Sequence, residues 1–563
     1  YQNQNNNNGN GPSDTEDNVE VTFDPFCSHQ WGEESRFSLN AIGTPSAKLG
    51  GGRANKVEWE GEWQGAVKRM PDGWTAEMKI PWAALSYPAS HGPMVMNINF
   101  IRFQERTQIQ SVWSDFGPQG FLEMDGRWTG VSVPPADFHP TLSLLPYTLT
   151  TTRDISPGFR GGLDARFTPT PELTAVGTIN PDFATIEGAL ASIQFTRSQP
   201  FVPETRPFFL EGQNLFRGGN FNTIGSYFYS NQIPGFDVGA KLYGKLTPID
   251  TIATLQTIDL GARSDFAARY RHDFSPTSNG GLYLLQKSAR DDNNSVAVAT
   301  QDARWGKLEL SSDWALSSGH LSGGDAKEAD ILYEDKLDFV GLGVAQVSPL
   351  FRDADGLIPF TGFYGLFPIA QWGALWRKGH WRAFNVFAFP SYQWHTDGRP
   401  FQRGGNIDVN FTTRQDLNLD FNANYNAYDS QIDNTYGFGF TTNSSNRFRQ
   451  WGLSLSVGRQ ADRPSFFISP IFSFRIFRKL DLSYAGAIQN LNGVSHQHIL
   501  SINYQISPTR SIGGRIVVQN AGFNPYFFLQ KSGAAGVNYY LIIGDPNAIR
   551  FSRQIAFKVV KPL

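Results

Sequence analysis

From residue 417 the chain reads LNLDFNANYNAY, an alternation with almost no error. Leu417, Leu419, Phe421, Ala423, Tyr425 and Ala427 fall on one side of an extended ribbon. Asn418, Asp420, Asn422, Asn424 and Asn426 fall on the other. Successive side chains of a strand point to opposite faces, so the stretch predicts a strand with one apolar and one wet face. Segments of the same kind recur as TLSLLPYTLTTT, GFRGGLDARF, DVGAKLYGKL, SDFAARYRHDF, GGLYLLQKSA, HILSINYQIS and RSIGGRIVVQN. Each is about ten residues long, which spans a bilayer when the strand is tilted.

After Pro140 this spacing predicts a large antiparallel transmembrane β-barrel of about 18–22 strands. Four segments, RFTPTPELTA, KLTPIDTIA, DFSPTSNGGLY and QISPTRSIG, place Ser or Thr and then Pro at a strand end. Proline fixes φ and cannot extend the ladder, so these read as short turns of one rim. The links SSGHLSGGDAKEAD (317–330) and FRDADGLIPFTG (351–362) are expected as longer loops of the opposite rim. EADILYEDKLDFVGLGVAQV reads as one long strand or two. A barrel this wide has a lumen that side chains alone do not fill.

Before the proline-rich joint VSVPPADFHP (131–140) the pattern differs. Short strands in NVEVTFDPF (18–26), RFSLNAIG (36–43), the stretch 58–85 and MNINFIRFQE (96–105) are separated by Gly, Pro and Asp turns. Such spacing predicts a β-sandwich over residues 15–135. In GWTAEMKIPWAAL, Trp74, Ala76, Met78 and Ile80 share one face while Thr75, Glu77 and Lys79 share the other. The asparagine-rich residues 1–14 read as a linker or loop. The expected fold is all-β, with a sandwich followed by a barrel over residues 136–563.

Composition sharpens the membrane reading. Aromatic residues make up 14%, charged residues only 18%, and there are 56 glycines. No run of about 18 uncharged apolar residues occurs, which removes a transmembrane helix and leaves a barrel, whose apolar surface sits on alternate residues. A net charge of −3 gives no electrostatic case for nucleic acid. The single cysteine, Cys27, cannot form an intramolecular disulfide or a multi-cysteine metal site. The start at Tyr1 lacks a basic-then-apolar signal, so an exported chain is expected to be processed or partial.

Residues 180–219 break the strand rhythm. ATIEGALASI has helix-like composition, and beyond it Arg197, Glu204, Arg206 and Glu211 are interleaved with Phe201, Phe208, Phe209 and prolines. Irregular backbone at membrane depth is tolerated only when buried in protein or facing water, so this segment is expected in the lumen or across its mouth. Its four charges read either as a selectivity constriction or as ion pairs tethering a plug.

The stretch NPDFATIEGALASIQFTRSQPFVPETRPFFLEG closely resembles a signature of large Gram-negative outer-membrane proteins. Those proteins join a carbohydrate-binding-module family 9-like domain to a β-barrel of uncharacterised function. The matching positions are Asn180 to Phe183, Glu187, and Pro203 through Glu211. DGWTAEMKIPWAAL is similar to a strand of the family's sandwich. Two features depart from the pattern. The family's sandwich normally begins upstream of DNVEVTFDPF, and this chain ends QIAFKVVKPL without a terminal aromatic, although Ile555, Phe557 and Val559 still alternate.

The resemblance implies a bacterial outer-membrane protein with the lipid bilayer as partner and an accessory domain that engages glycan. Trp59, Trp63 and Trp82 are the candidate glycan-stacking residues, and packing is the competing use of the same rings. His496 and His498 share a strand face with metal-like spacing, but they read first as a lumen- or rim-facing pair, and no metal site is expected. No Gly-x-Ser-x-Gly, His-Glu-x-x-His or phosphate-cradling motif occurs, so no enzyme and no cofactor are expected. Three functions follow in order: a channel or uptake barrel, a non-conducting scaffold that docks a partner protein or envelope polysaccharide, and an outer-membrane enzyme.

Overall fold

The computed structural model describes residues 17–27, 34–43, 45–49, 63–85, 87–88, 92–104, 109–115, 124–134, 140–153, 156–170, 172–183, 187–216, 223–444, 446, 448–477, 479–507, 510–532 and 537–561. The asparagine-rich start and Trp59 lie outside the described residues.

The N-terminal part consists of β1 (Asn18–Asp24), β2 (Ser35–Asn40), β3 (Pro45–Lys48), β4 (Gln64–Met70), β5 (Gly73–Lys79), β6 (Met94–Gln104), β7 (Ile109–Val112) and β8 (Gly126–Val131). Six of these form a sheet in the order β3-β2-β1-β6-β7, with β8 also on β6, and β4 and β5 form a separate hairpin. The hairpin lies over the sheet closely enough that a Cβ on Gly65 would meet Leu39 at 2.6 Å. Val21, Phe37, Met96 and Ile98 are buried beneath it, with Met78 and Ile80 packed against them. On β5 the alternation puts Thr75, Glu77 and Lys79 in solvent.

The remaining strands close into one antiparallel barrel of 24 strands. They begin with β9 (Thr141–Arg153), β10 (Ser156–Thr170), β11 (Leu173–Ile179), β12 (Val238–Thr247), β13 (Asp250–Asp259), β14 (Arg263–Ser275), β15 (Ser278–Ala289) and β16 (Asp292–Trp305). The wall continues with β17 (Leu308–Gly319), β18 (Asp325–Asp335), β19 (Asp338–Val347), β20 (Phe363–Leu375), β21 (Trp381–His395), β22 (Pro400–Thr413), β23 (Leu417–Tyr428) and β24 (Gln431–Thr442). It ends with β25 (Arg449–Gln460), β26 (Arg463–Ile476), β27 (Leu480–Asn490), β28 (Val494–Ser507), β29 (Arg510–Gln519), β30 (Gly522–Ser532), β31 (Asn538–Ile543) and β32 (Gln554–Val560). β32 closes on β9, from Gln554 opposite Arg153 to Val560 opposite Tyr147. Every strand of the wall thus pairs with a neighbour on both edges, the condition for crossing hydrocarbon with strands.

The strand count exceeds the expected 18–22 because most connections use very few residues. EADILYEDKLDFVGLGVAQV is two strands, β18 and β19, joined at 336–337 with Lys336 in the left-handed region at φ 58°. The expected long loop 317–330 is mostly strand: residues 317–319 belong to β17, 325–330 belong to β18, and only 320–324 turn. The alternation around 417–428 is β23 to the residue. Phe421 and Tyr425 are 43% and 52% exposed on the outside, while Asn426 is 8% exposed inside.

Leu282, Leu284, Leu316, Ile407 and Phe527 continue the exposed apolar belt. Trp305, Trp372, Trp381 and Trp451 are exposed near one end of their strands. An apolar band with aromatics at its edge is the lipid-facing surface of an outer-membrane barrel.

The two rims differ. The rim at which β9 begins carries the connections at 171–172, 248–249, 276–277 and 508–509, so all four Ser/Thr-Pro signatures fall on it. Residues 171, 508 and 509 themselves lie outside the described set. The opposite rim carries the three longest connections of the barrel, 180–237, 348–362 and 544–553. We expect Leu284→Arg, on the lipid face of β15, to cost about 2–4 kcal/mol. Asn424→Ala, on the lumen face of β23, should cost under about 1 kcal/mol. Urea unfolding in lipid vesicles reads both, and equal costs would contradict the assignment of faces.

Candidate functional site: the lumen and its inserted segments

The first inserted segment begins where β11 ends. Asn180 adopts the left-handed conformation at φ 49°, turning the chain away from the strand direction just before Pro181. Its amide N–H donates to Asp237 O at 2.6 Å, joining the two ends of the insertion, and its side chain donates to Gly161 O at 3.2 Å. The Tyr147 hydroxyl donates to the Asn180 carbonyl, and Lys558 pairs with Asp182 at 2.9 Å.

The chain then follows the wall. Glu187 pairs with Arg515 at 2.8 Å and accepts from the Tyr526 hydroxyl. Arg515 also donates to Gly188 O at 3.1 Å, and Gln497 donates to Ala191 O at 3.1 Å. Arg197 ends this run by gripping Asp433 at 2.6 and 2.7 Å and Gln431 at 2.9 Å, with its guanidinium 4.3 Å from the Tyr428 ring centre. The described part of ATIEGALASI, residues 187–193, is irregular rather than helical. A segment this short gains little from an isolated helix, and here its carbonyls accept from wall side chains instead.

The second half folds back as a compact body. Arg206 pairs with Glu204 at 2.6 Å, donates to Ser230 O and Ile233 O at 2.8 and 2.6 Å, and lies 4.2 Å from the Phe209 ring centre. Burial works to raise the Glu204 carboxyl, but the Arg206 contacts outweigh it and leave the group below its ordinary value. Pro207–Leu210 make one helical turn. Beyond it Glu211 is buried, accepts from the Tyr243 hydroxyl at 2.8 Å and lies 3.8 Å from Arg166 Nε, while Lys241 donates to Glu211 O at 2.7 Å. Phe208, Phe216, Tyr227 and Ile233 join one buried cluster with the wall residues Tyr243, Leu255, Leu285, Val298, Ala315 and Ala345. The insertion therefore continues to residue 237, beyond the expected end at 219.

The loop expected at 351–362 leaves the far rim but turns inward, and its apolar side chains explain why. Phe351 is buried in the same cluster, with Ile358 and Phe360 packed against it. Ser226 and Leu357 exchange backbone hydrogen bonds at 3.0 and 2.7 Å, Tyr229 N–H donates to Asp355 O at 2.7 Å, and Gln232 donates to Gly356 O at 3.0 Å. Gly225 has φ 126°, and a Cβ there would lie 2.2 Å from Leu357 O, so only glycine lets the segments approach. Lys287 pairs with Asp355 at 3.0 Å and Arg352 with Asp292 at 2.7 Å, fastening this strap to β15 and β16. The third link joins as well: Asn547 accepts from Gly188 N–H at 2.8 Å and donates to Phe183 O at 3.3 Å.

The plug body covers the wall from β10 to β20. On the other side, Ser391, Gln393, Gln402, Asn426, Asp433 and Thr435 are buried at the far ends of β21–β24, and the lumen-facing residues beyond them stay half-exposed. They include Asn385 on β21, Asn406, Asp408 and Asn410 on β22, and Asp420, Asn422 and Asn424 on β23. Ser454 and Ser456 on β25 continue the polar strip. The plug's charges are legible in the sequence, but their wall partners and the strap are not; the strap's local signal is Phe351, Ile358 and Phe360 within an otherwise loop-like stretch.

The remaining candidates lie elsewhere. Trp63 meets Phe37 edge-on at 5.5 Å, Trp82 stacks on Trp128 at 6.2 Å, and both pack against the N-terminal core. That core also takes in Leu145, Tyr147 and Val560 of β9 and β32, and Lys245 of β12 lies 5.8 Å from the Phe26 ring centre. The N-terminal sheet is thereby seated against one sector of the near mouth. His496 and His498 lie 5.5 Å apart, and Tyr484 Oη is 2.8 Å from His498 Nδ1. Among the described residues no group of three or more His, Cys, Asp or Glu is arranged to hold a metal.

Removing Arg197 leaves Asp433 without its cation. We expect Arg197→Ala to release the run 187–201 by about 3 kcal/mol, seen as roughly 100-fold faster amide exchange there. Unchanged exchange would show that the pair does not hold it. Burial, followed by the neighbouring Asp355, pushes the Asp353 carboxyl well above its ordinary value. The docked strap thus keeps a proton that the released strap loses above about pH 4. Docking is expected to be tightest in acid and to weaken as pH rises, with Asp353→Asn flattening the slope. Exchange of residues 351–358 between pH 4 and 8, corrected for intrinsic rates, reads both.

No family model and no curated protein matches the chain. Among solved structures, it is similar to the siderophore receptor PirA from Pseudomonas aeruginosa at 6% identity and a TM-score of 0.42, over 84% of this chain and 87% of that one. It is similar to the FrpB iron transporter from Neisseria meningitidis at 9% identity and a TM-score of 0.37, over 77% and 83%. The ferric citrate transporter FecA in its unliganded form gives 10% identity and a TM-score of 0.34, over 85% of each chain.

Proposed function

We propose that this chain is an outer-membrane channel or uptake barrel whose lumen is partly filled by its own insertion. The observation that carries this reading is the uneven filling. The plug body buries the wall from β10 to β20 and the far ends of β21–β24, while Asn385, Asn406, Asp408, Asn410, Asp420, Asn422 and Asn424 nearer the other rim stay half-exposed. A side-chain-lined, water-accessible strip has no packing role, and it is what passage of a polar solute requires.

In bacterial barrels the short turns are periplasmic and the long loops external. On that rule the plug and strap enter from outside, and the N-terminal sheet sits at the periplasmic mouth. The resemblance to the carbohydrate-binding-module family 9-like barrel proteins belongs to this reading. Its motif residues Asn180, Asp182, Glu187, Arg206 and Glu211 are here the ones that fix the insertion. A second reading, in which the accessory domain docks a glycan or partner protein, is favoured by a groove of about 600 Å³ between sheet and hairpin, lined by Val21, Met78, Phe100 and Trp113.

Single-channel recording in a planar bilayer tests the channel, using the intact chain and a variant with residues 184–233 replaced by a short Gly-Ser link. Steps in the intact chain are expected, with larger steps in the variant. Silence in both, with the barrels verified as folded, would sink the channel and leave the scaffold.

A further inference from the structure

The half-exposed strip has a definite charge. β22 and β23 pair so that Asp408 stands opposite Asn422 and Asn410 opposite Asp420, which makes the two carboxylates diagonal neighbours. Diagonal positions on one face are about 7–8 Å apart, close enough for one mobile ion to feel both. Asp408 accepts from Asn406 Nδ2 at 2.7 Å, and Asp420 is hydrogen-bonded by Asn422. Both partners are neutral amides, and among the described residues neither carboxylate is paired with a base.

The surrounding lining adds no compensating cation. Following the alternation across β21–β25, the inward positions hold Asn, Gln, Ser, Thr, Gly, Ala, Phe, Tyr, Asp and, at the far end, His395 against Asp429 at 2.6 Å. None holds Lys or Arg. Of the charged groups reaching this sector from the plug, Arg197 is already neutralised by Asp433. On the next strand, β26, the inward alternation holds two bases: Arg475, paired with Asp481 at 2.5 Å, and Arg463, exposed at the far-rim end of the strand, away from Asp408 and Asp420. The exposed bases Arg377, Lys378 and Lys479 lie on near-rim turns beyond the strip.

Space is present where the charge is. Gly439 stands opposite Asp420 and Gly437 opposite Asn422, so β24 puts no side chain across from them. A Cβ on Gly437 would lie 2.4 Å from the Asn422 amide, so glycine there leaves Asn422 and the neighbouring Asp420 a recess.

We infer that Asp408 and Asp420 set the selectivity of the open strip, favouring cations and uncharged hydrogen-bonding solutes over anions. The inference rests on the channel reading above. Two carboxylates beside a water-filled path attract a monovalent cation and repel an anion, and with no base paired to either among the described residues that field is left uncancelled.

The test is the reversal potential under a KCl gradient, measured on the full chain and on Asp408→Asn/Asp420→Asn. The amides keep the shape and the hydrogen bonds, so the barrel should fold, which heat-dependent gel mobility checks. The intact chain is expected to prefer potassium over chloride about fivefold, and the double variant should fall to near equality. Charge reversal to Asp408→Lys/Asp420→Lys is expected to favour chloride. An intact chain without cation preference, or a preference unchanged in the double variant, would overturn the inference while leaving the channel standing. No current from any variant, including one with residues 184–233 replaced, removes the channel reading and this inference with it.

Discussion

Closure of the wall is the constraint on which the rest depends. Strands can cross hydrocarbon only if every N–H and C=O is paired laterally, so the sheet must return to its first strand. With 24 strands it does so at β32 and β9, and the enclosed space is far too wide for inward side chains to fill. The same closure that makes the protein stable in lipid therefore creates an interior that must be filled, wet, or both.

The chain resolves this with its own connections. All three long links leave one rim and fold inward, and they touch one another as well as the wall. The attachment is divided by chemistry. The run 187–197 is held by charge and by its backbone carbonyls on β24 and β28–β30. The body 204–236 is held by apolar burial against the opposite wall, with Glu211, Tyr243 and Lys241 as a polar anchor. Apolar contact scales with area and yields only when the body leaves as a unit, whereas ion pairs facing water respond to local rearrangement. The strap adds a third hold through Leu357 and Ser226, and its buried Asp353 links that hold to pH.

How much of this the sequence reveals follows from the range over which each interaction acts. A strand's two faces are written at period two, so LNLDFNANYNAY discloses its ends and the facing of Phe421, Tyr425 and Asn426. The Ser/Thr-Pro signatures likewise place four connections on one rim, because proline's limits are local. The strap is different. FRDADGLIPFTG carries the Gly, Pro and Asp of a surface loop, and its inward course depends on Gly225, Lys287 and Asn294, all distant in sequence. The Asn294 side chain donates to Arg352 O at 3.0 Å and accepts from Ala354 N–H at 2.8 Å. ATIEGALASI has residues that favour a helix, yet the donors that capture its carbonyls, Arg515 and Gln497, lie about three hundred positions away. Partners of that kind leave no periodic trace.

The central claim is that the lumen is divided, dry behind the plug body and wet along β21–β25. Cysteine accessibility tests it directly, since Cys27 is the only native thiol. Single cysteines at Asn424 and Ser454 on the wet side, and at Leu255 and Ala315 on the dry side, would be placed in a Cys27→Ser background and treated in intact vesicles with a small charged thiol reagent. The account predicts rapid labelling at 424 and 454 and protection at 255 and 315. Equal protection at all four positions would mean a fully occluded lumen, and equal labelling would mean that the insertion does not pack against the wall; either result contradicts it.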